Sequence, residues 1–150
     1  MAEMLTGGCL CGAVRYTYEG DVGPAGYCHC EDCRRTSGGA FGVSVRVAAA
    51  GFRVVAGAPK SFVKLGDSGR AVARFFCGDC GSPLYTLPPL HPDVVFIKAG
   101  SLDNPDAVRP NRQAWMRSRV DWAEIDPSIT SYETNRVGAQ QKARHNGRAL

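Results

Sequence analysis

Seven cysteines in three tight groups constrain this chain more than any other feature of its sequence. The middle group, 28-CHCEDC-33, places three cysteines in six residues, and the outer groups are 9-CLC-11 and 77-CGDC-80. Residues i and i+2 of an extended segment point the same way, so a close pair can present two sulfurs to one ion. The C-x2-C spacing of the last group is typical of zinc sites. The sequence therefore predicts a metal-binding protein.

Seven thiolates suit two zinc ions, one held by four cysteines and one by three. A closed site made from the first and last pairs would be structural, whereas three protein ligands and an open position are typical of catalytic zinc. Spacing alone does not decide which pair meets which. Buried inert thiols are one alternative, and a fully structural middle site completed by His29 or a neighbouring chain is another. In a strand, His29 would point away from both adjacent cysteines, which favours a supporting hydrogen bond over ligation.

Length and composition indicate an ordinary globular protein. With 150 residues and 44% hydrophobic content, we expect one zinc-binding domain over residues 1–135 and a flexible basic tail over 136–150. The start, MAEMLTGG, lacks the features of a signal peptide. No apolar stretch approaches the roughly 20 residues of a membrane span. We expect a soluble cytoplasmic protein that does not contact membranes, in which disulfides are disfavoured.

The net charge of +4 belongs to the tail. Residues 136–150 hold four basic residues and no acid, which leaves 14 basic and 14 acidic residues in the body. One interpretation of this excess positive charge is that the tail binds DNA. A neutral body and a short solvated terminus favour a protein that does not bind nucleic acid.

Short alternating segments predict a mainly β fold. Residues 14–19 place Val14, Tyr16 and Tyr18 on one face, and residues 41–47 alternate in the same way. A single short helix is expected at 31–38, with acids in its first turn and glycine after it. The remaining strand candidates are 52–56, 61–65, 71–76, 82–86, 94–100 and 113–117.

Four segments resemble a known family: 7-GGCLCGAVRY-16, 28-CHCEDCRRTSGGAFG-42, 75-FFCGDCGSPLY-85 and 98-KAGSLD-103. The chain resembles the glutathione-dependent formaldehyde-activating enzymes, which carry the CENP-V/GFA domain of the Mss4-like, or β-tent, fold class. The resemblance implies small antiparallel sheets, two zinc ions and carbon–sulfur lyase activity like that of S-(hydroxymethyl)glutathione synthase. Its substrates would be a thiol, typically glutathione, and a small aldehyde such as formaldehyde. The implied structural zinc ligands are Cys9, Cys11, Cys77 and Cys80, and the implied catalytic ones are Cys28, Cys30 and Cys33.

Residues around the middle group are candidates for the rest of such a site. Glu31 could move a proton, although the favoured explanation is a surface acid in the first turn of a helix. Arg34 and Arg35 could anchor the carboxylates of glutathione, or could be ordinary exposed arginines. Ser37 and Gly38 could offer backbone N–H groups to an anion, or could be only a loop.

One position departs from the family pattern. Gln113, in 113-QAWMRSRVDW-122, aligns where the family usually carries a histidine. A role that depends on that imidazole is therefore not expected here. The main competing hypothesis is a non-catalytic binding module of the Mss4-like class, stabilised by zinc at both sites.

Overall fold

The computed structural model describes residues 3–66, 69–89 and 91–135, so the expected tail lies outside the described residues. The chain forms two compact units. Within the described residues, the first unit contains 3–24, 44–66, 69–89 and 91–108, and the second contains 25–43 and 109–135.

Strands dominate both units, and one α-helix, α1, spans Glu31–Ser37. In chain order the strands are β1 Glu3–Gly8, β2 Arg15–Gly20, β3 Ala25–Cys28, β4 Gly42–Ala48, β5 Phe52–Ala56, β6 Lys60–Leu65, β7 Ala71–Phe76, β8 Pro83–Leu87, β9 Val94–Lys98, β10 Pro110–Ala114 and β11 Thr130–Ser131.

The first unit is antiparallel throughout its described strands. Strands β1, β2 and β5 form one small sheet in that order. Strands β6 to β9 form a meander, and β4 pairs with β9 at its edge. The alternation in β2 buries Tyr16 and Tyr18, as the sequence predicts. Val45 of β4 pairs with Ile97 of β9, and both are fully buried. These sheets hold the turns that carry the outer cysteine groups.

The second unit contains the middle cysteine group. Strand β10 pairs in parallel with both β3 and β11, and Ala114 lies opposite Cys28. Helix α1 begins directly after β3, with Cys30 as its N-cap. The turn from strand to helix therefore lies within the cysteine motif itself.

The prediction of a mainly β chain with one short helix is confirmed. Seven predicted strands correspond to β2 and β4–β9, with ends that differ by a residue or two, and the helix matches residues 31–37. The predicted strand 113–117 is mostly wrong, because β10 ends at Ala114 and a 3-10 turn follows at Met116–Ser118. Strands β1, β3 and β11 were not predicted from the sequence. Two of these contain glycine, which has low strand propensity, and the third has only two residues. Among the described residues, no helix is long and apolar enough to cross a bilayer.

Candidate metal centres

Four sulfurs from the first unit form one group. Cys9 and Cys11 lie in the turn between β1 and β2, and Cys77 and Cys80 lie in the turn between β7 and β8. All four Sγ atoms lie within 4.8 Å of one another, with Cys9–Cys11 at 3.6 Å and Cys11–Cys77 at 3.8 Å. A tetrahedral zinc with Zn–S bonds of about 2.3 Å would place its sulfurs about 3.8 Å apart. The geometry fits a closed four-sulfur metal site and is far too wide for disulfides.

Local backbone geometry turns these sulfurs inward. Gly12 and Gly81, which follow the last cysteine of each pair, have φ values of 79° and 78°, a region that glycine adopts without strain. The N–H of Gly81 donates to the carbonyl of Cys77 at 2.8 Å, which closes the turn. The two turns are also joined directly, because the Leu10 N–H donates to Ser82 Oγ at 3.0 Å. Glycine at positions 12 and 81 therefore allows each turn to close beside its pair of cysteines.

Hydrogen bonds stabilise the thiolate form of two of these cysteines. The backbone N–H of Val14 donates to Cys9 Sγ at 3.2 Å and lowers the pKa of Cys9. The side chain of Ser82, then its backbone N–H, lowers the pKa of Cys80 to about 5. Metal ligation needs thiolates, so these hydrogen bonds favour cation binding at Cys9 and Cys80. A hydrogen bond from the Ala13 backbone lowers the pKa of Cys11, but the thiols around it outweigh this bond and raise that pKa to about 12.

Three sulfurs of the second unit form the other group. Cys28 ends β3, Cys30 caps α1, and Cys33 lies in the first turn of α1. Their Sγ atoms lie within 4.8 Å of one another, and all three residues are half-buried. In the part of the chain that the structure describes, no fourth cysteine, histidine or carboxylate joins them. The arrangement could hold one ion and leave it a further position.

The three thiols crowd one another. Hydrogen bonding to Cys30, then to Cys33, raises the pKa of Cys28. The Cys33 N–H donates to Cys30 Sγ at 3.3 Å and helps to compensate that sulfur. A cation bound among the three sulfurs would favour the thiolate forms, because a thiol that coordinates a metal loses its proton.

Gly42 leaves space for Cys33. A Cβ atom added to Gly42 would lie 3.2 Å from Cys33 Cβ and 3.6 Å from Cys33 Sγ. A side chain there would therefore press on a candidate ligand, and the absence of one lets the first residue of β4 pass close to α1.

His29 lies next to the three-sulfur group in sequence but is not part of it. Its side chain is 2% exposed, and its Nε2 lies 2.9 Å from Gln113 Oε1. Burial lowers the pKa of His29, although the hydrogen bond to Gln113 opposes this, so the neutral imidazole is favoured. Its ring meets Phe41 edge to face at 5.6 Å. This contact network was not predicted, because Gln113 lies 84 residues away in sequence.

The other candidate residues all lie on or just after α1. Glu31 Oε1 accepts from Arg35 Nε at 2.8 Å in an i,i+4 ion pair whose side chains are 62% and 71% exposed. The Arg34 carbonyl accepts from the Gly38 N–H at 3.0 Å, and from Ser37 Oγ at 3.1 Å. The structure thus places Glu31 and Arg35 together on the surface, and Arg34, Ser37 and Gly38 at the helix end.

Comparison with known proteins gives a consistent result. The family model described as "Glutathione-dependent formaldehyde-activating enzyme" matches residues 4–118. A protein of Halomonas elongata named "Putative glutathione-dependent formaldehyde-activating enzyme" is 32% identical over 133 residues, which covers 82% of each chain. A solved structure of a Rhodobacter sphaeroides protein superposes with a TM-score of 0.53 at 23% identity, covering 68% of this chain and 93% of that one. The last match shows a shared fold alone.

Proposed function

The chain belongs to the glutathione-dependent formaldehyde-activating enzyme family, and from that premise we propose that it is a zinc-dependent carbon–sulfur lyase. It reversibly joins a thiol such as glutathione to a small aldehyde such as formaldehyde. The three-cysteine group is the reaction centre, and the four-cysteine group is a structural clip. A cytoplasmic location fits, because free thiolates persist in a reducing compartment.

The difference between the two groups carries this proposal. Four sulfurs at tetrahedral spacing complete the coordination of one ion, whereas three sulfurs leave a position for a substrate. The three cysteines are also only half-buried, which supports access by a small molecule. A purely structural second site would be expected to supply a fourth ligand of its own.

The all-sulfur donor sets favour zinc. Thiolates select soft or borderline ions, and zinc accepts tetrahedral thiolate coordination without redox chemistry. At the open site, bound zinc would keep an incoming thiol deprotonated near neutral pH and polarise a carbonyl oxygen.

The reaction requires one proton transfer and no oxidant. A carbon–sulfur bond forms between the thiol sulfur and the carbonyl carbon, and the proton that leaves sulfur ends on the former carbonyl oxygen. We assign Glu31 to carry that proton, since it lies between two of the three cysteines in sequence. Its carboxylate must leave or share the ion pair with Arg35 to do so.

The helix that carries Cys33 also carries candidate anchors for the thiol substrate. Glutathione has two carboxylates, and guanidinium groups bind carboxylates through paired hydrogen bonds. We assign Arg34 and Arg35 to this contact. Ser37 and Gly38 cap the helix beside them and would hold the anchor in place.

An exchange measurement tests the proposal directly. NMR exchange rates between formaldehyde, glutathione and their adduct would be compared for the zinc-loaded protein, Cys33→Ser and the matched variant Cys80→Ser. We expect acceleration by the native chain, a folded Cys33→Ser without acceleration, and a Cys80→Ser that loses stability. A native protein with both sites loaded that leaves the exchange rate unchanged would contradict the lyase assignment. If Cys33→Ser then also lost stability as Cys80→Ser does, the binding-module hypothesis would replace it.

A further inference from the structure

Gln113 occupies the centre of a buried polar chain in the second unit. Its side chain is 2% exposed, and its amide lies between the imidazole of His29 and the hydroxyl of Ser131, each at 2.9 Å. Ser131 is itself buried, and its Oγ donates to the Ile129 carbonyl at 3.1 Å. Four groups from three separate chain segments are thus connected without solvent.

The direction of every bond in this chain is fixed by its last member. A backbone carbonyl can only accept, so the Ser131 hydroxyl donates its hydrogen bond to the Ile129 carbonyl. Ser131 Oγ therefore accepts from the Gln113 amide nitrogen, which leaves Gln113 Oε1 to face the imidazole. An oxygen requires a donor, so Nε2 of His29 carries a proton. Nδ1 is buried and has no hydrogen-bond partner among the described residues, so a second proton there would be unsatisfied and Nδ1 carries the lone pair.

The reverse orientation of the amide costs more. It would take the Ser131 proton away from Ile129, and it would leave the His29 proton on Nδ1. That atom is buried and has no hydrogen-bond partner among the described residues. An unsatisfied buried N–H would be added to a lost hydrogen bond, so the first orientation is preferred.

The backbone reinforces the same connection. The His29 N–H donates to the Ala114 carbonyl at 3.0 Å, and Ala114 lies opposite Cys28 in the parallel pair. Both the main chain and the side chain of His29 are therefore tied to β10. Because the neighbours of His29 are Cys28 and Cys30, this residue fixes the segment that presents two of the three sulfurs.

We propose that Gln113 is a positioning residue of the three-cysteine site: it holds His29 as the Nε2–H tautomer and, through it, sets the positions of Cys28 and Cys30. The inference rests on the proposed function only in treating the three cysteines as a metal site. It also gives the family departure at this position a role, because the glutamine amide supplies the acceptor for His29 and the donor for Ser131 at once.

The test compares Gln113→Met, which removes both hydrogen bonds at similar length, with Gln113→Glu, which keeps an acceptor toward His29. Chelator competition on the full chain would measure Zn²⁺ affinity for each bound equivalent. We expect the weaker site to lose roughly 10- to 100-fold in affinity in Gln113→Met, as for other residues that orient a metal site. Gln113→Glu should recover most of that loss, and the tighter equivalent should be unchanged in both.

Imidazole nitrogen NMR of His29 gives a readout that a general packing role would not change. The native chain should show a protonated Nε2 and a bare Nδ1, Gln113→Glu should keep Nε2 protonated, and Gln113→Met should show a mixture of tautomers. A native Nδ1 that carries the proton would overturn the proposal, as would a folded Gln113→Met with unchanged affinity at both sites.

If Gln113→Met does not fold, a second variant replaces it. Ser131→Ala removes only the group that orients the amide, and it should shift both the zinc affinity and the tautomer in the same direction. Unchanged readouts in a folded Ser131→Ala would overturn the proposal. A native protein that binds both zinc ions but does not accelerate thiol–aldehyde exchange would count against the proposed function. It would leave this inference about Gln113 standing.

Discussion

At the scale of single residues, the three-cysteine group has close neighbours that are not themselves candidate ligands. Gly42 leaves room for Cys33, and Gln113 reaches His29 across the parallel strand pair. Neither residue has a chemical signature in the sequence. Gly42 reads as an ordinary residue of a strand, and Gln113 is notable only as a departure from the family pattern until the chain path brings both to the site.

Substitution of Gly42 tests the first of these contacts. We expect Gly42→Ala to weaken zinc binding at the three-cysteine site, because the new Cβ would lie 3.2 Å from Cys33 Cβ, closer than most side-chain contacts. Gly39→Ala is the matched control, since the nearest atom to its new Cβ is a serine hydroxyl oxygen at 3.9 Å. Chelator competition would measure both, and equal affinities in the two variants would show that Cys33 does not need this space.

The role of Glu31 is tested by a neutral isostere. If it carries the proton, Glu31→Gln should slow thiol–aldehyde exchange by roughly 10²- to 10⁴-fold. Stability should barely change, since exposed ion pairs such as Glu31–Arg35 contribute less than about 1 kcal/mol. Asp79→Asn, a carboxylate inside the other cysteine group, is the control and should leave the rate unchanged. A Glu31→Gln protein with the native rate would remove Glu31 from the mechanism.

At the scale of elements, the sequence predicted most strands from alternation but not how they pair. The helix at 31–37 was predictable from its acids and its following glycine. Strand β3 was not, since its four residues include a glycine, and its partner β10 lies more than 80 residues away in the chain. Parallel pairing between distant short strands leaves no local pattern, so the His29–Gln113 contact could not be inferred.

Strands β1 and β2 are joined to the segment after β9 by one charged cluster. Asp103 accepts hydrogen bonds from Arg15 and from Thr6 Oγ1, and these lower the pKa of Asp103 to about 2 from its usual 3.8. The folded-state pKa lies below the unfolded one, so the stabilisation is complete above about pH 4 and is lost as pH falls toward 2. Asp103→Asn should therefore destabilise the protein at pH 7. The difference in stability between the native protein and the variant should narrow as the pH falls from about 4 toward 2. Urea unfolding midpoints across pH would measure it, and a constant difference between the two proteins would contradict this account.

At the scale of the whole molecule, counting cysteines predicted two sites, but spacing did not assign them. Counting favoured a division into four and three, the resemblance implied the same division, and the structure groups the seven sulfurs in that way. It does so because Cys11 and Cys77, 66 residues apart, are brought to 3.8 Å by the turns of separate hairpins. The four-cysteine group thus closes a long loop, while the three-cysteine group lies within six residues and closes none.

This difference predicts the order in which metal is lost. A three-ligand site should release zinc to a chelator before a closed four-ligand site does. We expect zinc release in two steps, with the melting temperature falling mainly in the second, since only the four-cysteine site joins distant segments. Simultaneous release, or a loss of melting temperature confined to the first step, would reverse the structural and catalytic assignments.

The most direct test of the central claim is native mass spectrometry of the zinc-supplemented chain, with and without millimolar glutathione. The account predicts two zinc ions per chain and a glutathione adduct that is absent in Cys33→Ser. A single zinc ion despite supplementation would remove the three-cysteine site as a metal centre. Two zinc ions with no adduct would contradict the claim that its open position receives the thiol.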